Sequence, residues 1–297
     1  MIVITTPTGQ IGSQLLDILL TDTPRHEKLR VILRDPGKLP DAVRARVDVV
    51  TGSHGDPEVV DRAFAGANAV FWLVPSNGPQ SSLDAMYTGF TRPAAEAFRV
   101  HRVQRVVGVS ALGRGTPLAS HAGQVTASLA MDDLRASTGV AYRALANPTF
   151  MDNLLRQVDS IRDDGVFTDI VTPDHKAPIA ATHDIAKTAA TLLLDTSWTG
   201  TSDVPVLGPE DLSANDMAHI MTDVLDRPIH YHQQSLEEYR STLTTHGLGN
   251  ALIQGYIDMM HAKNNGLDNT IPRTPHTTTP TTFHKWCQQT LKPTIEA

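Results

Sequence analysis

The chain is poor in several things, and each shortage removes a class of protein. Among 297 residues there is one cysteine, Cys287, so an internal disulfide framework is excluded and a reducing compartment is expected. Basic residues are neither abundant nor clustered. With 25 Lys and Arg against 32 Asp and Glu, the net charge of -7 argues against a nucleic-acid groove, which needs massed cations facing phosphate. No apolar run approaches the roughly 20 residues that span a bilayer. The first residues are already strand-like, with no basic and then apolar leader, so the reading is a soluble, cytoplasmic protein. Lysine is absent between Lys38 and Lys176, and none of the five tyrosines is followed by lysine four residues on. No internal repeat is visible.

What is present is an alternation of two periods. Short apolar runs appear as IVI (residues 2–4), RVILR (30–34), VDVVTG (47–52), NAVFWLVP (68–75), RVVGVSALG (105–113) and VAYRALANP (140–148). Between them lie helical patterns such as PEVVDRAFAGA, with Val59, Val60, Ala63 and Phe64 on one side. Strands alternating with crossover helices predict an α/β fold, a doubly wound parallel sheet covered on both faces. After about Asn153 the rhythm changes. THDIAKTAATLLL predicts a helix packed on the sheet, with Thr182 or Asp184 at its cap. SANDMAHIMTDVL carries a capping box from Ser213 to Asp216. RPIHYH predicts a short strand, followed by two helices over residues 236–263. The Thr- and Pro-rich tail from Asn264 is too broken for a long helix, but Phe283, Trp286 and Leu291 are able to dock.

The first apolar run hands over to a helix through TTPTGQIG. A dinucleotide-binding turn has three glycines there, for the tight turn, for approach of the pyrophosphate and for helix–sheet packing. Gly9 and Gly12 keep the last two roles, while Thr6 stands in the first, Pro7 stiffens the turn and Thr8 offers a hydroxyl. At the end of the second run, where an acidic residue binds the ribose of NAD, stands Arg34, with Lys38 four residues beyond. A guanidinium there favours the 2′-phosphate of NADP; Asp35 next to it keeps NAD open.

With these pieces in order, the chain resembles the NmrA-like branch of the atypical short-chain dehydrogenase/reductases. The resemblance rests on TPTGQIG, VILRDPGKL, DPEVVDRAFAGANAVFWLVP, VVGVSALG, ANPTFMDNLL, HDIAKTAATLLL and LGPEDLSANDMAHIMTDVL, running to about residue 232. It implies a Rossmann-like NAD(P)-binding domain over residues 1–155, with helix 183–195 packed on it, and a smaller, mostly helical substrate domain over 156–297. It implies that Thr6, Gly9, Gln10, Ile11 and Gly12 hold the pyrophosphate and Arg34 the 2′-phosphate. Val74, Pro75 and Ser76 would line the cofactor, and Asn147, Pro148, Thr149 and Phe150 would close over the nicotinamide side. A homodimer is compatible with it.

The departures are as informative. Without Tyr-x-x-x-Lys, carbonyl reduction through that dyad is excluded. Ser53 stands where the family commonly has Asp. Ser110 is either an active-site hydroxyl or a strand-end serine bonded to backbone, and His121 is either a proton donor or a loop histidine without a role. His230 and His232 share one strand face but lack a third ligand at metal spacing, so a surface strand is expected and no metal. Met217, Met221, Met259 and Met260 are read as core or cleft packing. The expected function is NADP(H)-dependent reduction of a small organic acceptor: quinone, ketone, enone or imine. Two other readings stay open: a non-catalytic NAD(P) redox sensor acting on a protein partner, and a redox-neutral biosynthetic enzyme.

Overall fold

The computed structural model describes residues 1–21, 27–75 and 82–297. Its strands in chain order are β1 (Ile2–Thr5), β2 (Leu29–Leu33), β3 (Asp48–Thr51), β4 (Ala69–Trp72), β5 (Arg105–Ala111) and β6 (Ala141–Asn147). They continue with β7 (Thr149–Phe150), β8 (Val166–Asp169), β9 (Ala177–Ala180), β10 (Thr201–Pro205), β11 (Asp211–Leu212) and β12 (His230–Gln233). Seven of them form one all-parallel sheet in the order β10-β6-β5-β4-β1-β2-β3. The doubly wound α/β fold expected from the alternating periods is therefore present.

Side chains on successive strand residues point to opposite faces, and two separate cores result. Ile2, Ile4, Val31, Leu33 and Phe71 face the helices Gln10–Thr21 and Thr182–Leu194. Val3, Ile32, Val70 and Trp72 face the helices Pro57–Phe64, Phe90–Val100 and Gln124–Ala136. Both faces are covered, so the strands read as nearly continuous apolar runs. Strand β10 escaped the sequence reading. It is a partly exposed edge strand with the sequence TSDVP, and its polar pattern lacks the apolar run that marked the others.

The remaining residues build a third core around Met151, Ile161, Phe167, Met221, Phe283 and Trp286. The capping box at Ser213 and Asp216 forms as the spacing predicts. The cap of the Thr182–Leu194 helix differs from expectation. Neither Thr182 nor Asp184 caps it; the Asp152 carboxylate accepts the Thr182 N–H at 2.9 Å from a distant segment. Asp184 instead accepts the N–H and hydroxyl of Thr281, at 3.0 and 2.9 Å. The tail is thus tied down. Leu207 donates its N–H to Thr277 and accepts one from Thr279, and Phe283, Trp286 and Leu291 are buried. Cys287 is buried with them, which pushes its thiol up to about 12. No helix among the described residues is long and apolar enough to cross a membrane.

Candidate functional site

In an open parallel sheet, ligands bind beyond the carboxyl ends of the strands where the strand order reverses. Here the reversal falls between β1 and β4. Most of the candidate residues gather along that edge.

The turn after β1 is built around Thr6, which adopts φ +50°, a left-handed conformation rare for a β-branched residue. Its carbonyl accepts the Gly9 N–H at 3.0 Å, closing the turn, and Gly9 in turn accepts from Ser13. Thr6 therefore takes the conformation that a glycine would take, despite its Cβ. The N–H groups of Gln10, Ile11 and Gly12 at the start of the Gln10–Thr21 helix meet no acceptor among the described residues. A helix start with free N–H groups carries partial positive charge and suits a phosphate. The Thr6 hydroxyl oxygen is buried without a partner, a second group in want of one. Thr8 is exposed on the same turn, and Ile11 is buried in the core beneath it.

At the end of β2, Asp35 spends its carboxylate on the Gly37 N–H at 2.9 Å, capping a short 3-10 turn. Arg34 and Lys38 flank it, exposed, and neither forms an ion pair among the described residues. A free guanidinium beside an engaged carboxylate is the arrangement that suits an anionic ribose phosphate.

Residues 73–75 after β4 are held from both sides. Leu73 donates its N–H to the Thr5 hydroxyl at 3.0 Å, and its carbonyl accepts from His54 Nε2 at 3.0 Å. The His54 ring stands edge-on to Trp72 and Phe90, with centroids 5.1 and 4.8 Å away. Burial depresses its pKa to about 4, with the nearby Arg34 charge adding to the effect, so the ring is neutral near pH 7. Val74 and Pro75 follow on this anchored segment; Ser76 lies outside the described residues. The sequence reading missed both Thr5 and His54. The available signals were a polar residue closing an apolar strand and a histidine in the glycine-flanked GSHGD turn.

Asn147 ends β6 and donates through Nδ2 to the carbonyls of Ser110 and Leu145, leaving its buried Oδ1 without a partner. Pro148 is buried behind it, while Thr149 and Phe150 pair with Ile179 and Ala180. Gln10 reaches across to the Asp152 carbonyl at 3.2 Å, and Gln14 reaches Thr182 at 2.8 Å, so the helix that follows β1 and the second half of the chain are joined directly.

The two proton-donor candidates are not brought together. Ser110 turns toward the Gln124–Ala136 helix and donates its hydroxyl proton to Asp132. That carboxylate also pairs with Arg135 and accepts from the Tyr142 phenol at 2.6 Å, all of them buried. Burial raises the Tyr142 phenol well above its ordinary value. Gly108 makes room for this network, because a Cβ there would lie 2.3 Å from the Arg135 guanidinium. His121 ends the exposed 3-10 turn Pro117–His121. His230 and His232 are exposed on β12, and the described residues include no cluster of three metal-type ligands.

The site is thus that of a dinucleotide-binding α/β protein. Comparison with known proteins agrees: residues 7–196 match the NAD(P)H-binding family, and the chain belongs to it. It is 28% identical over 249 residues to the (4-alkanoyl-5-oxo-2,5-dihydrofuran-3-yl)methyl phosphate reductase of Streptomyces griseus, covering 82% of this chain and 80% of that protein. In fold it is similar to a nucleoside-diphosphate-sugar epimerase from Staphylococcus aureus, with TM-score 0.80, 16% identity and coverage of 97% and 99%. It is also similar to an NADPH-dependent quinone oxidoreductase from Escherichia coli, with TM-score 0.74, 21% identity and coverage of 96% and 98%. The chain is an NAD(P)H-binding protein.

Proposed function

We propose that the protein is an NADP(H)-dependent oxidoreductase of the NmrA-like type, reducing a small organic acceptor by hydride transfer without a Tyr-x-x-x-Lys dyad. The observation that carries this is the pairing of a phosphate-ready turn with the unengaged Arg34 one strand away. The free N–H groups of Gln10, Ile11 and Gly12 would hold the pyrophosphate, and Arg34 with Lys38 the 2′-phosphate. Residues 73–75, fixed by Thr5 and His54, would line the cofactor, with Ser76 continuing the segment. Asn147, Pro148, Thr149 and Phe150 would bound the nicotinamide side. The bound cofactor supplies the hydride. Similarity to a reductase of an unsaturated lactone and to a quinone reductase supports a conjugated acceptor.

Such acceptors take their proton from water after the hydride arrives, and the committed Ser110 proton and exposed His121 are compatible with that. The test is NADPH oxidation with 1,4-naphthoquinone. Turnover is expected to survive Ser110→Ala and His121→Ala within about tenfold, whereas a positioned general acid contributes about 10²–10⁴-fold. Collapse in either variant would make that residue the acid.

The same lack of a positioned acid also favours a second reading, a non-catalytic sensor of the NADP redox state. Its signature is tight binding that discriminates NADP+ from NADPH with no acceptor consumed.

A further inference from the structure

Two connections of the main sheet meet at the carboxyl ends of β4 and β5. Each joins neighbouring parallel strands, so its helix runs back along the sheet and begins at the carboxyl edge. The first carries a turn of π-helix, Ala85–Gly89, a form that collects at functional positions. The second helix begins with Gln124, straight after Gly123 at φ +51°. One hydrogen bond joins the two starts: the Tyr87 phenol donates to Gln124 Oε1 at 3.0 Å. Burial raises that phenol above its ordinary value, so near pH 7 it keeps its proton. Gln124 is 5% exposed, and with Oε1 engaged by Tyr87 its amide nitrogen turns away, leaving Nε2 buried without a partner. A buried N–H in want of an acceptor is destabilising and therefore scarce, because folding has taken its water away. The start of the 13-residue helix, which no side chain caps, adds partial positive charge at the same place. Both features suit an oxygen that carries negative charge.

The helix Asn250–Asn264 covers this corner. Its Gly255 lies between Gly123 and Leu83. A Cβ on Gly123 would stand 2.2 Å from the Gly255 carbonyl oxygen, and one on Gly255 would stand 2.8 Å from a Leu83 methyl. Leu252, Met259 and Ala262 add apolar contact along the same wall. Among the described residues, no hydrogen bond or ion pair ties this helix to residues 82–129. The seam is held by packing alone. A flat conjugated ring entering it replaces packing with packing and gives Nε2 an acceptor.

We infer that Gln124 is the hydrogen-bond donor to the carbonyl oxygen of a conjugated acceptor, an enone or quinone, seated in the seam between the Asn250–Asn264 helix and the start of the Gln124–Ala136 helix. This rests on the reductase reading and narrows it to acceptors that carry a carbonyl. When hydride adds to the carbon β to the carbonyl, the C=C pair moves toward the carbonyl and the oxygen gains the charge of an enolate. Water then protonates the α-carbon, and the dihydronicotinamide is left oxidised. An N–H already aimed at that oxygen needs no reorganisation as the charge arrives. It keeps its own proton throughout, so Gln124 orients and polarises the acceptor without acting as an acid.

The test compares acceptors with and without the oxygen. Gln124→Met keeps the length of the side chain and has no N–H. At saturating NADPH, its turnover of 2-cyclohexenone and 1,4-naphthoquinone is expected to fall by about 10²–10³, the usual loss for one such donor. Reduction of 10-methylacridinium, which takes a hydride at carbon and has no oxygen, should fall far less. Tyr87→Phe, which frees the amide to turn, should slow the carbonyl acceptors several-fold. Gln124→Met also strands the Tyr87 phenol, so the double variant Tyr87→Phe/Gln124→Met, with neither group stranded, repeats the measurement without that penalty. The second readout needs no turnover. Isotope-labelled 1,4-naphthoquinone is bound to the NADP+-loaded protein, which cannot reduce it, and its infrared carbonyl stretch should lie lower in the wild type than in Gln124→Met. An unshifted stretch, or equal losses for 10-methylacridinium and the carbonyl acceptors, would overturn the assignment and leave Nε2 to a water molecule, while quinone turnover would still uphold the reductase reading. A Gln124-dependent stretch with no acceptor reduced would keep the donor and remove the reductase reading.

Discussion

The carbonyl oxygen of Thr6 occupies the space that a side chain on Gly12 would need: a Cβ there would lie 2.0 Å from it and 2.8 Å from the carbonyl carbon. No side-chain rotation relieves a clash with backbone. At Gly9 the same construction leaves 3.5 Å, an ordinary contact. The two glycines therefore serve different ends. Gly12→Ala should disrupt the turn itself, lowering thermal stability and dinucleotide affinity together. Gly9→Val should change the unfolding free energy by no more than about 0.5 kcal/mol, as at tolerant surface sites, and remove dinucleotide binding. Full affinity in Gly9→Val would discard the phosphate-turn reading.

Thr6→Gly should stabilise the protein. A left-handed backbone costs an L-residue roughly 1–2 kcal/mol, and glycine's greater unfolded-state freedom returns part of that. The substitution also deletes a buried hydroxyl without a partner. A gain of about 0.5–1 kcal/mol in urea denaturation is expected, with cofactor affinity retained. A gain in stability accompanied by lost affinity would instead show the hydroxyl to be a phosphate ligand.

Arg34→Ala should separate the two cofactors. A charge-assisted hydrogen bond is worth about 1.5–3 kcal/mol, so NADPH binding should weaken by that amount while NADH binding barely changes. Calorimetric titration of both measures it. Equal losses would reduce Arg34 to a surface residue.

His54 should make the protein sensitive to acid. Burial, helped by the Arg34 charge and opposed by the Leu73 bond, depresses its pKa from 6.5 to about 4. A depressed histidine keeps the fold's full stability above pH 6.5 and weakens it as pH falls toward 4, because the unfolded chain takes up the proton first. At about 1.4 kcal/mol per pH unit, the loss is roughly 3 kcal/mol. His54→Gln keeps a donor for Leu73 and cannot titrate. Urea denaturation at pH 7.5 and 5 should therefore show a much smaller pH effect in the variant than in the wild type.

Periodicity alone was enough to locate the parallel sheet and to pair strands with crossover helices, because strands buried on both faces must be apolar throughout. Local chemistry also sufficed for the turn at Thr6, Gly9 and Gly12, for Arg34 at a strand end and for the Ser213 capping box, since each is decided within a few residues. Other features depended on partners distant in the chain. Strand β10 joins the sheet by pairing with β6 rather than by its own pattern. By its sequence Ser110 could be an active-site hydroxyl or a strand-end serine bonded to backbone; only the fold sets Asp132, 22 residues on, against its hydroxyl. His54 anchors Leu73, and Asp152 caps a helix 30 residues away. Backbone conformation and periodic burial are local properties written into short stretches. The state of a buried polar group depends on which distant group reaches it, and that only the tertiary structure decides.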